Sequence, residues 1–79
     1  MLTPFWFHTD HGLGYGVTAR SMMDAECLLR DFGYPREGEL VMAIVTGITH
    51  SQLEPHHVAP NAGPIIVRGV WFPNHTFSE

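Results

Sequence analysis

The sequence predicts an α+β fold: one helix packed across a four-stranded, mostly antiparallel sheet, in the order β-β-α-β-β. Three observations lead there. A β-favouring aromatic start runs into a glycine-rich turn, one amphipathic segment carries both start and stop signals, and two later apolar runs have strand length. The chain has 79 residues, 44% of them hydrophobic and 15% charged. That is enough for one core and too apolar for disorder, so a single domain over residues 1–79 is expected.

Phe5-Trp6-Phe7-His8-Thr9 reads as the first strand, with Pro4 tolerable at its start. Tyr15-Gly16-Val17-Thr18-Ala19 reads as the second, and Gly12-Leu13-Gly14 supplies the hairpin turn between them. Ser21 opens the helix. Ser21-x-x-Asp24 has capping-box spacing, and Met22, Ala25, Leu28, Leu29 and Phe32 recur on one side. Cys27, beside Leu28 and Leu29, reads as a small buried hydrophobe, because free cysteine is among the most buried residue types. Gly33 suits the C′ position and Pro35 blocks continuation. Glu39 to Thr46 is an apolar run without alternation, which predicts a strand covered on both faces or central in the sheet. Ile65 to Phe72 predicts the last strand, with Gly69 as a candidate bulge. The element order is that of β-grasp domains among other two-layer α+β folds.

The segment from His50 to Pro64 is a long connection for so small a domain, and such loops are usually functional or disordered. Pro55, Pro60 and Pro64 fix φ along it, Asn61-Ala62-Gly63 has turn chemistry, and Leu53 and Val58 have the character of core anchors. Ser51-x-x-Glu54 suggests a cap on one helical turn that Pro55 stops. An ordered loop over 50–64 is therefore expected, and it is the first place to look for function.

Charge narrows the partners. Eight acidic residues face four arginines (Arg20, Arg30, Arg36 and Arg68) and no lysine, giving a net charge of −4. Nucleic acid and anionic membrane surfaces are excluded as main ligands, since both need clustered positive charge. Protonation of all six histidines would bring the net charge to about +2. No apolar run approaches the roughly 20 residues of a membrane span. The start lacks a basic n-region and a long apolar h-region, and one cysteine forms no internal disulfide, so a cytoplasmic setting is expected.

Gly14-x-Gly16-Val17-Thr18-Ala19, Asp24-Ala25, Leu28-Leu29, His57-Val58-x-Pro60-Asn61-x-Gly63-Pro64 and Arg68-Gly69-x-Trp71-Phe72-Pro73 together resemble a group of small uncharacterised bacterial proteins. The likeness runs from Phe5 to Pro73 and implies a shared stable fold and a bacterial setting; it assigns no catalytic residue and no cofactor. The coarse element order is also similar to ubiquitin-like modifiers. The ending Pro73-Asn-His-Thr-Phe-Ser-Glu79 has no terminal di-glycine, so conjugation would require trimming of the tail.

Gly12-x-Gly14-x-Gly16 is followed by a strand, not a helix, which excludes a phosphate-loop reading. His8 and Asp10 lie two apart on one strand, and His57 lies in the long loop. Imidazole and carboxylate suit a first-row metal, so His8, Asp10 and His57 are candidate ligands of a small metal-dependent enzyme if the loop folds over the hairpin. Against that stands the plain reading of surface histidines. No catalytic triad can be assembled.

One helix cannot cover both faces of a sheet whose first strand is aromatic on each side. The second face is either covered by the proline-rich loop or offered to a partner. Trp6, Tyr15, Trp71 and Phe72, with His57, Pro60, Asn61 and Arg68 around the loop, are the candidate partner-binding residues; Arg68 is alternatively a clamp on loop carbonyls. The function expected is a non-enzymatic protein-interaction module of inhibitor, immunity or adaptor type, binding a protein or itself. The ubiquitin-like modifier and the metal-dependent enzyme are its alternatives.

Overall fold

A computed structural model describes residues 1–63 and 65–73. Strand β1 (Thr3–Thr9) turns back into β2 (Tyr15–Ala19), helix α1 spans Met22–Asp31, and strands β3 (Val41–Thr46) and β4 (Gly69–Phe72) follow. The sheet order is β3-β1-β2-β4 and every neighbouring pair is antiparallel. This is the predicted α+β class and element order. The strands nevertheless differ from expectation in where they begin and where they sit.

The helix is delimited as its sequence requires. The Ser21 side chain accepts from the Asp24 N–H at 3.1 Å. At the other end Gly33, at φ 84°, donates to the Arg30 carbonyl, and Tyr34 donates to the Leu29 carbonyl. These two bonds make a Schellman motif, which needs a residue comfortable at positive φ where Gly33 stands. Ala25 and Leu29 are buried, while Cys27 and Phe32 are exposed. The expectation of a buried Cys27 is thus corrected: a ten-residue helix on a sheet buries one stripe, and Cys27 lies outside it.

Alternation along β1 feeds two separate cores. Phe5 and Phe7 pack with Tyr15, Val17, Ala19, Val70, Ala25, Leu29 and Tyr34 beneath the helix. On the opposite face Trp6 packs with Trp71, Phe72, Ile48, Leu53 and Val58. Residues 47–63 wrap this second face, with 3-10 turns at His50–Gln52 and Ala59–Asn61. Cover by the loop, one of the two expectations for the aromatic face, is therefore what the structure shows.

β4 is shorter than predicted. Ile65–Arg68 form turns rather than strand, and Gly69 starts the strand instead of bulging inside it. The irregularity falls two residues on: Gly16 pairs with Phe72 and Val17 with Val70, so Trp71 is the extra residue. The bulge lets Trp71 and Phe72 point to the same face, which strict alternation forbids.

β3 departs furthest. Among the described residues it is an edge strand, paired to β1 alone, and its residues are exposed from Val41 to Ile44. The reason is geometric. A helix about 10 Å across spans roughly two strand spacings of ~4.8 Å. α1 leaves β2 after two residues and packs on β2 and β4, leaving the helix-side face of β3 uncovered.

Candidate functional site

The residues proposed for partner binding divide into two sets. Trp6, Tyr15, Trp71 and Phe72 are buried, and Trp71 is wholly inaccessible. Trp6 lies 5.8 Å from Trp71 and 5.5 Å from Phe72, ring to ring. The Trp71 indole N–H donates to the Thr18 hydroxyl at 3.0 Å, which donates in turn to the Ile65 carbonyl at 2.6 Å. A Cβ on Gly16 would overlap the Trp71 ring, so the glycine is what lets the indole lie on β2. These rings are buried as core. Tyr15 belongs to the other core. It stacks on Tyr34 at 4.4 Å and donates to the Glu39 carboxylate. Burial, and then the hydrogen bond to Glu39, push its phenol above the usual range.

His57, Pro60, Asn61 and Arg68 are exposed. Arg68 does clamp the segment before β4, but not through carbonyls. Its Nε donates to Asp24 Oδ2 at 2.9 Å and its Nη2 to Oδ1 at 2.6 Å. A fork matched to a carboxylate prefers that bidentate partner to single carbonyl oxygens. The Arg68 guanidinium, and after it the Arg20 N–H, hold the Asp24 carboxyl well below the usual carboxylate range.

The loop is built around Glu54. One carboxylate oxygen accepts from the His56 N–H at 2.7 Å and from the N–H groups of His57 and Val58. The other lies 3.3 Å from His57 Nδ1. The backbone bonds lower the Glu54 pKa to about 2, with that from His57 the largest cause. Asn61 donates to the His57 carbonyl at 2.8 Å. Leu53 and Val58 are buried against the rings. The first 3-10 turn is capped by Thr49, whose N–H donates to Gln52 Oε1 at 2.8 Å; Ser51, the expected cap, sits inside the turn. Pro64 lies outside the described residues.

The three metal-ligand candidates do not converge. Asp10 accepts from the Leu40 N–H at 2.8 Å and lies 3.2 Å from His11. That first bond lowers its carboxyl below the ordinary value. His8 packs edge-on against Trp6 and His57 turns to Glu54. Among the described residues no three His, Cys, Asp or Glu side chains are grouped to hold a metal ion. The tail on which trimming of a modifier would act, residues 74–79, lies outside the described residues.

Two grooves flank β1. One of 480 Å³ lies on the loop side, lined by Trp6, His8, Leu13, Ile48, Leu53 and Glu54 among others. The other, 370 Å³, lies on the helix side between α1 and β3, lined by Phe7, Leu29, Arg30, Tyr34, Val41 and Ile44 among others. The second opens onto the surface that sequence reasoning missed. Leu40 is 65% exposed, Val41 38%, Met42 66% and Ile44 38%. Asp10 fixes this stretch through a reciprocal pair, its own N–H donating to the Leu40 carbonyl at 3.0 Å. The Gly47 N–H donates to the Pro4 carbonyl at 2.8 Å. Since bonded pairs alternate in an antiparallel ladder, Val45 and Ala43 face β1, and the backbone groups of Ile44 and Thr46 point out of the sheet. The signal in the sequence was an apolar run without alternation, which fits an exposed edge as well as a strand covered on both faces.

Comparison with protein-family models, curated proteins and solved structures gives no match. Among the described residues, no helix is long and apolar enough to cross a membrane.

Proposed function

We propose that the chain is a small protein-binding module whose working surface is the outer edge of β3 and the groove beside it, in which Glu26 and Arg30 flank the apolar side chains. The exposure of an edge strand that carries apolar side chains and unpaired backbone groups is the observation that supports this reading. Native edges are blunted by charge, proline, a bulge or a covering element; here the β1–β3 pairing carries one irregularity, between His8 and Thr9, which leaves Met42 as the extra residue. From Leu40 to Thr49 this chain has neither a charged residue nor a proline. A strand added there gains backbone hydrogen bonds, and its alternate side chains enter the groove.

This moves the expected interaction away from the aromatic face while keeping its class, an inhibitor, immunity or adaptor type of module. The exposed loop side chains His57, Pro60 and Asn61 form the contrasting surface. The test is capture from a lysate of the native cells by immobilised wild-type chain, by Met42→Lys/Ile44→Lys, and by His57→Ala/Asn61→Ala. Loss of the captured protein with the β3 variant alone supports the assignment. Retention by the β3 variant, or loss with the loop variant alone, overturns it.

A further inference from the structure

We infer that the loop-side face, distinct from the β3 edge, is a proton-operated surface that docks on anionic lipid once its histidines are charged. The ionisable groups divide unevenly between the two sides of the sheet. Residues 40–67 contain three histidines, one carboxylate and neither lysine nor arginine. β1 adds His8, whose ring meets Trp6 on the same face. The arginines lie elsewhere: Arg20 precedes α1, Arg30 is in it, Arg36 sits 5.1 Å from the Tyr34 ring, and Arg68 is bound to Asp24.

These histidines surround one groove. His8 and Glu54 both line the 480 Å³ cavity, one from β1 and one from the loop. His57 stands 3.3 Å from Glu54, and the His56 ring is 6.4 Å from that of His57. His50 opens the 3-10 turn whose Gln52 lines the same groove. All four imidazoles are exposed. β3 brings no charge, and the carboxylates at the hairpin end are engaged, Asp10 with His11 and the Leu40 N–H, Glu39 with Tyr15 and the Arg36 N–H.

With neutral histidines the face carries only the Glu54 anion and the chain −4, so anionic lipid is repelled. Histidine is the side chain that changes charge between about pH 5 and 8. Protonating these four against one carboxylate gives the face about +3, and the chain as a whole reaches about +2 when all six histidines are charged. Lipid fits this face better than nucleic acid does. Its large rings, Trp6, Trp71 and Phe72, are buried and cannot stack on bases, and it holds no arginine fork for phosphate. Leu13, 46% exposed on the turn that walls the groove, supplies an apolar side chain for the headgroup–acyl boundary.

Vesicle co-sedimentation of the full chain tests this, with phosphatidylserine–phosphatidylcholine vesicles against phosphatidylcholine alone, at about pH 5.5 and about pH 7.5. A cationic side chain near an anionic surface strengthens binding about fivefold. The wild type should therefore bind the anionic vesicles on the order of a hundredfold more tightly at the lower pH, and salt should weaken that binding. His8→Gln/His56→Gln should lose about 25-fold of it. Equal binding at both pH values, equal binding to the neutral vesicles, or full binding by the glutamine variant overturns the inference. So does capture at low pH by a soluble polyanion such as heparin with none by vesicles. Tryptophan emission without vesicles reports Trp6 and Trp71 and should be the same at both pH values; a red shift at the lower one would assign the binding to an unfolded chain and overturn the inference too.

Discussion

Both faces of β1 carry aromatic side chains, Phe5 and Phe7 on one and Trp6 on the other, but the strands beside it end in opposite conditions. On the loop side Trp6, Trp71 and Phe72 are sealed by Ile48, Leu53 and Val58. At β3 a run just as apolar remains open to solvent. Side-chain hydrophobicity does not separate the two regions; the route of the connections does. The loop leaves β3 through Gly47, at φ 75°, and crosses back over the sheet. The helix returns over β2 and β4 and stops short of β3. Cover is decided by where the chain goes next, and an edge beyond its reach stays open.

The sharpest way to break the comparison is to remove the ring that closes the loop side. Trp71→Ala should lower unfolding free energy by about 3–5 kcal/mol in urea denaturation, as for large buried aromatics. A loss as small as a surface substitution gives would mean that the loop does not seal the face. Gly16→Ala acts on the same contact by crowding. Its new methyl meets the Trp71 ring, and a destabilisation of about 1–3 kcal/mol is expected on the same assay.

The third prediction concerns the loop's own brace. A carboxyl lowered to about 2 from an ordinary 4.5 adds stability that is complete above about pH 4.5 and fades as pH falls toward 2. The difference in urea midpoint between wild type and Glu54→Gln should accordingly be largest near neutrality and close over that acid window. A gap that stays constant down to pH 2 would show that the negative charge on Glu54 does not hold the loop amides.

Much of this architecture is legible in the residues. Ser21, Asp24 and Gly33 mark the helix ends by their own hydrogen-bonding and φ preferences, and Leu53 and Val58 stand out as lone apolar residues in a polar loop. The position of β3 is not legible in that way, because a run without alternation describes a buried central strand and an edge awaiting a partner equally well. The role of Arg68 is likewise hidden, since its carboxylate partner, Asp24, lies 44 residues away. Trp71 and Phe72 share a face only because β4 is bulged, and the strand period alone would separate them.

The most direct measurement of the account is amide hydrogen exchange along β3. In dilute solution the Val45 amide, bonded into β1, should be protected while those of Ile44 and Thr46 exchange freely. Equal protection of all three would contradict an open edge.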